Sequence, residues 1–155
     1  MTGPFNAFVQ APDVGRHLEP LGMVMRFGSS VERRLAEIAI LTVAARWKAE
    51  FEWQAHVRVA RDFGVPGAVI DAIARGDDPP FTADDERAVH KVATQLTETG
   101  QLGQEAHDAA RRLLGDAGLV ELVTMIGYYT LVSFILNAFT VPLPPGAEPQ
   151  WAHTA

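Results

Sequence analysis

The stretch Glu32-Arg33-Arg34-Leu35-Ala36-Glu37-Ile38-Ala39-Ile40-Leu41 decides how this chain folds. It contains no glycine or proline, and Leu35, Ile38, Ala39 and Leu41 recur at the three-and-four spacing of one helical face. Ser29-Ser30-Val31-Glu32 offers a capping box just ahead of it, so the spacing predicts a helix from there to about Trp47. The next segment, Ala49-Glu50-Phe51-Glu52-Trp53-Gln54-Ala55-His56, predicts a second helix over Glu50–Phe63, ended by Gly64. Glu52 and His56 are four residues apart and therefore project from one helix face. Glu37 lies about four helical turns upstream. If the two helices form an antiparallel hairpin, Glu37 approaches that pair.

The rest of the chain reads as helix too. Residues 1–30 carry Pro4, Pro12, Pro20 and four glycines, which predicts an irregular segment with short helical pieces such as Asp13–Leu18. Pro66 suits the first turn of a helix over Pro66–Arg75, closed by Gly76. Thr82-Ala83-Asp84-Asp85 opens another, its acids set favourably against the helix dipole, and Gly100 stops it. Gln104–Leu114 and Gly118–Phe139 follow, the last the most apolar. Val141-Pro142-Leu143-Pro144-Pro145 then predicts a mobile tail over 141–155. No pair of segments reads as strands. The expectation is an all-α, single-domain bundle of six to seven helices, with its helical domain over residues 31–140.

Composition narrows the functions open to such a bundle. The net charge of −6 and the scattered arginines speak against nucleic acid or an anionic membrane as partner. With no cysteine there is no disulfide, no thiolate nucleophile and no Cys-ligated zinc, which is compatible with a cytoplasmic protein. The start, Met1-Thr2-Gly3-Pro4-Phe5-Asn6, has no basic, apolar leader pattern. Leu119–Phe139 is nearly uncharged but includes Thr124, Gly127, Tyr128, Tyr129, Ser133 and Asn137 and lacks basic flanks, so it reads as a helix buried in a core or subunit interface rather than a membrane span. A helix with no polar face predicts a homo-oligomer.

Glu37, Glu52 and His56 are the candidate catalytic residues. Two carboxylates and an imidazole in an apolar pocket displace one another's proton affinities, as acid–base chemistry requires. The plain alternative is a routine helical Glu/His contact, with Glu37 facing solvent or paired with Arg33 or Arg34. The same three side chains could offer two oxygens and a nitrogen to a divalent ion, but helical di-iron proteins use Glu-x-x-His, and Glu52 to His56 is one residue too long for it. No metal and no cofactor are expected. Arg26, between Met25 and Phe27, is a candidate for binding an anionic substrate, and Trp53, Tyr128 and Asn137 for lining its pocket; Tyr128, Tyr129 and Asn137 are polar in the apolar last helix and, needing partners when buried, either line a pocket or bridge subunits. His90 and His107 read as exposed, and His17 and His153 as solvated near the ends.

Taken together, Gly3-Pro4-Phe5-Asn6, Arg26-Phe27, the Glu32–Leu41 stretch, Glu50–His56, Ala60, Gly64-Val65, Asn137-Ala138-Phe139 and Val141–Pro144 resemble the carboxymuconolactone decarboxylase family, which includes the alkylhydroperoxidase D-like proteins. The resemblance covers roughly residues 3–144. It implies an all-helical fold that assembles as dimers, trimers or hexamers. In the family's peroxidase branch a Glu precedes Cys-x-x-Cys-x-x-x-His; Glu37 falls on that Glu, His56 on that His, and Ala49 and Glu52 on the two cysteines. Without thiols there is no thiol-peroxidase cycle. The lactone decarboxylases keep an acid and a His at the Glu52 and His56 spacing but usually lack an acid at Glu37. The resemblance thus implies a cysteine-free branch with an extra carboxylate.

The expected function is a cofactor-independent lyase or isomerase acting on a small carboxylated, cyclic or unsaturated metabolite. His56 is expected to move the proton, with Glu52 orienting it and Glu37 in support. The alternatives are a non-enzymatic helical oligomer with a structural Glu/His network, and a metal-dependent enzyme using the same residues.

Overall fold

The structure, a computed structural model, describes Gly3 and residues 5–151. Pro4 of the N-terminal motif and His153 lie outside the described residues. The helices are α1 (Phe5–Phe8), α2 (Pro12–Met23), a π-helical turn (Val24–Gly28), α3 (Arg33–Trp47), α4 (Glu50–Asp62), α5 (Gly67–Arg75), α6 (Asp84–Thr99) and α7 (Gln104–Ala138), and no strand occurs among the described residues. The all-helical expectation holds.

Helix α3 is the axis of the molecule. Leu35 through Ala44 are all buried, because α3 separates two apolar clusters and faces both. On one side Leu35, Ala36, Ala39, Ile40 and Val43 pack with Val89 and Val92 of α6 and Leu122, Met125 and Ile126 of α7. On the other, Ile38, Leu41 and Ala44 pack with Trp53 and Ala60 of α4 and Val69, Ile70 and Ile73 of α5. Burying each large aliphatic side chain here contributes about 1.5–3 kcal/mol. A helix apolar all round has to lie at the centre of such a bundle.

The α3–α4 reversal sets the relative placement of Glu37, Glu52 and His56. Lys48 takes a left-handed conformation (φ 48°), and the Ala49 and Lys48 N–H groups donate back to the Ala44 and Ala45 carbonyls at 2.9 and 3.2 Å. This cap turns the chain within three residues and sends α4 back along α3, as the hairpin expectation requires. Helix α7 runs in the same direction as α3. Glu121 accepts hydrogen bonds from the Ser29 hydroxyl (2.9 Å) and the Ser30 N–H and hydroxyl (2.6 and 2.8 Å) at one end, and Asn137 Nδ2 donates to the Trp47 carbonyl (2.8 Å) at the other.

Four sequence expectations are corrected. Residues 12–28 are continuously helical, because Pro12 starts α2 and the π turn absorbs the register change before Ser29. Ser29 and Ser30 do not cap α3, since their hydroxyls are spent on Glu121. The two expected C-terminal helices join into α7, broken only at Gly115, where φ 72° and ψ 176° leave the helical region. Finally, residues 141–151 are tied down rather than mobile: the Glu50 carboxylate receives the Gln150 and Trp151 N–H groups at 2.8 and 2.7 Å, and Trp151 Nε1 donates to the Ala74 carbonyl at 2.9 Å.

By length and hydropathy alone α7 could cross a membrane, and 44% of its most apolar window is buried in the chain. Its covered side packs on α3 and α6. Val120, Val123, Leu131 and Phe134 face outward.

Candidate active site

Glu37 stands on the second turn of α3, and Glu52 and His56 stand one turn apart on α4. Antiparallel pairing of the two helices brings the three together, with Glu37 fully buried and Glu52 and His56 only 5% and 4% exposed. His56 Nδ1 and Glu37 Oε2 share a hydrogen bond of 2.7 Å. His56 Nε2 lies 2.9 Å from Glu52 Oε1. Together they fix the ring plane, and both ring nitrogens are engaged. Burial acts to lower the proton affinity of His56, but the two carboxylates outweigh it and hold the imidazole at about 9. It is an imidazolium at neutral pH.

Arg33 completes the cluster. Its Nη2 lies 2.6 Å from Glu37 Oε1, and its Nη1 donates to the Arg26 carbonyl of the π turn. The guanidinium sits between the rings of Phe27 and Phe63, 6.0 and 5.7 Å from their centroids. Glu37 thus pairs with Arg33 and with His56 together, so the alternatives read from the sequence are both realised. The sequence offered Arg33 or Arg34 as partners of Glu37 only in the non-catalytic alternative; Arg33, one turn before Glu37, is the one that pairs.

Tyr129 of α7, read from the sequence with Tyr128 and Asn137 as a polar residue for a pocket or a subunit bridge, lies against the cluster. Its ring meets the His56 ring edge-on at 5.2 Å, and its buried hydroxyl has no hydrogen-bond partner among the described residues. Burial and the nearby Glu52 charge raise its proton affinity, so it stays a neutral phenol. Tyr128 packs edge-on against Tyr129 at 5.4 Å. Its hydroxyl lies against Gly22 of α2, where a Cβ would collide with it.

The expected pocket residues fare differently. Tyr128 borders the cluster, and Arg26, although exposed, is near enough to act on the Tyr128 and Tyr129 hydroxyls by charge. Trp53 follows Glu52 in sequence but turns into the α4–α5 core, edge-on to Trp151 at 5.0 Å. Asn137 caps the far end of α3 and does not reach the cluster. His90, expected to be exposed, is half-buried against Phe81 at 5.2 Å. Two surface cavities of about 570 and 340 Å³ are not lined by Glu37, Glu52 or His56. No group of three or more His, Asp or Glu side chains among the described residues is arranged to hold a metal ion.

Comparison with known proteins fits this architecture. The model of the carboxymuconolactone decarboxylase family matches residues 12–95, more than half of the chain, and includes all three cluster residues. The chain belongs to the carboxymuconolactone decarboxylase family. No curated protein matches it. Among solved structures, a protein of unknown function from Agrobacterium tumefaciens, suggested by its description to be an AhpD antioxidant-defence protein, superposes with a TM-score of 0.79 at 18% identity, covering 90% of this chain and 96% of that one. An uncharacterised peroxidase-related protein from Silicibacter sp. gives a TM-score of 0.72 at 13% identity, over 84% of this chain and 70% of that one. At such identities the likeness concerns the fold, which is that of the AhpD-like proteins. Within the carboxymuconolactone decarboxylase family, this chain is cysteine-free.

Proposed function

We propose that the protein is a cofactor-independent lyase or isomerase that acts on a small carboxylated, cyclic or unsaturated metabolite by proton transfer through Glu37, His56 and Glu52. The observation that carries this reading is the imidazole held at both nitrogens between two buried carboxylates. In a decarboxylation the substrate loses CO₂, a conjugated lactone or carbonyl accepts the electron pair, and one proton must return to carbon. His56 has no free nitrogen for a substrate, so its Nε2 proton passes first to the Glu52 carboxylate and from Glu52 to the substrate carbon, while Glu37 and Arg33 hold the ring; solvent then returns a proton to the imidazole. The roles expected from the sequence for His56 and Glu52 are thereby exchanged. Glu52 suits the terminal position because its contact with His56 is made by Oε1. Arg26 would meet the substrate carboxylate at the rim.

Substrate entry in this reading requires the cover of α2 and the π turn to shift. Helix α2 rests chiefly on α1 and the π turn rather than on the bundle, and Gly22 leans on Tyr128. A second copy of the chain against the outward face of α7 would complete the surroundings of the site.

The near-complete burial of His56 favours a second reading, a structural network without turnover. A screen of small unsaturated lactones and keto acids with wild type, Glu52→Gln and His56→Ala separates the two. The enzymatic reading expects turnover of at least one compound by wild type and a loss of about 10²-fold or more in folded Glu52→Gln. Equal turnover in the variants, or none in wild type alongside unfolding of His56→Ala, supports the structural network.

A further inference from the structure

Away from the Glu37–His56–Glu52 cluster, the C-terminal ends of α3, α5 and α6 converge on a surface cleft of about 570 Å³ that the strand-like strap ending in Trp151 closes on one side. Its size is that of small-molecule sites. One wall is apolar, made by Ala45, Ile73, Ala74 and the indole of Trp151. The strap is fastened by Glu50, which accepts the Gln150 and Trp151 N–H groups, by Gln54 Nε2 donating to the Glu148 carbonyl at 2.8 Å, and by the Trp151 indole N–H on Ala74. Four directed bonds hold in place a segment that has no helix or strand to hold it, and they fix the indole as a flat wall.

The charges facing the cleft are unevenly paired. Arg75 is bound to Asp77 at 2.6 Å. Glu98 is the acid left over on α6. On α3, Arg46 lies over the Trp47 ring at 4.9 Å, and neither Arg46 nor Lys48 has an ion pair among the described residues. The helix ends themselves are negative poles, but their terminal carbonyls are capped: Lys48 and Ala49 close α3, Gly76 and Asp77 close α5, and Gly100 closes α6. In a chain of net charge −6, two unpaired cations beside an apolar wall are a local reversal of sign. His90 of α6 faces the same cleft, and burial keeps its imidazole uncharged and able to offer a hydrogen bond.

We propose that this cleft is a second ligand site for a small aromatic or similarly flat carboxylate, its ring against Trp151 and Ile73 and its carboxylate on Arg46 and Lys48. A charge-assisted contact of this kind fixes orientation as well as affinity. The site does not depend on the acid–base reading of the Glu37–His56–Glu52 cluster.

Isothermal titration with phenylacetate, phenethylamine and acetate tests it on the full chain. Phenylacetate is expected to bind one per chain, with the amine of the same ring and acetate alone at least about tenfold weaker. Arg46→Glu, at an exposed position, and Trp151→Ala, which removes the half-buried indole wall, should each weaken phenylacetate by about tenfold or more, and Glu52→Gln should leave it unchanged. The proposal is overturned if phenylacetate does not bind, if phenethylamine binds as well, if both cleft variants bind normally, or if Glu52→Gln alone abolishes binding, which would put the ligand at the other site.

Discussion

With its imidazole charged, His56 completes a set of groups, Arg33, Glu37, His56 and Glu52, whose formal charges cancel inside a mostly buried cluster. That cancellation makes burial tolerable, since an unpaired ion in the same place would cost several kcal/mol. It also ties stability to pH. The proton affinity of His56 is raised from 6.5 to about 9 on folding, so between these values the folded chain binds a proton that the unfolded chain has released. The stabilisation is complete below 6.5 and is lost as pH rises through about 9, amounting to on the order of 3 kcal/mol. Urea unfolding at pH 6 and pH 10 should show this fall in wild type and a much smaller one in Glu37→Gln; parallel curves would contradict the charged imidazole. The spacing of Glu52 and His56 and the apolar neighbours of Glu37 made these three legible in the sequence. Arg33 was not, because two adjacent arginines give no sign of which one turns inward. Asn137 was misplaced for a related reason: Tyr128, Tyr129 and Asn137 stood out as polar in the apolar helix, but in a nearly uniform apolar stretch the rotation that brings Tyr129 to His56 and takes Asn137 to Trp47 cannot be read from periodicity.

At the scale of elements, the α3–α4 turn positions everything else. It is closed by a lysine where a glycine is usual, and a left-handed non-glycine residue carries a cost of about 1–2 kcal/mol. Lys48→Gly is expected to raise the unfolding free energy by about 1 kcal/mol, measured by denaturant melting, without moving Glu37 from His56; a destabilised variant would mean that the lysine side chain holds the turn. Helix periods and the punctuation by Gly64, Gly76 and Gly100 made α3 to α6 legible nearly to the residue. The N-terminal segment was not, because a Pro20 inside α2 and a π turn both break the period that marks a helix. The strap at 142–151 was hidden for a different reason: its order comes from hydrogen bonds to Glu50 and Gln54, residues about a hundred positions away.

For the whole molecule, the end of α2, the π turn and α7 leave apolar side chains outward. Val120, Val123, Phe134, Met23, Val24 and Phe27 are each at least 40% exposed, and apolar surface of this kind is costly to leave in water. Assembly with further copies would cover it. Sedimentation at micromolar concentration should give a species larger than the 16.8 kDa chain, and Leu131→Glu should shift it toward the monomer; a clean wild-type monomer would remove the oligomer from the account. The claim beneath the proposed chemistry is that His56 is an imidazolium clamped between Glu37 and Glu52, and it can be tested without knowing the substrate. Nitrogen-15 NMR titration of the histidine side chains is the direct measurement. Both His56 nitrogens are expected to remain protonated at pH 7 and to titrate with a midpoint of about 9, well above the ordinary value that Glu37→Gln should move it toward. A wild-type His56 that titrates at or below 6.5, or is neutral at pH 7, would contradict it.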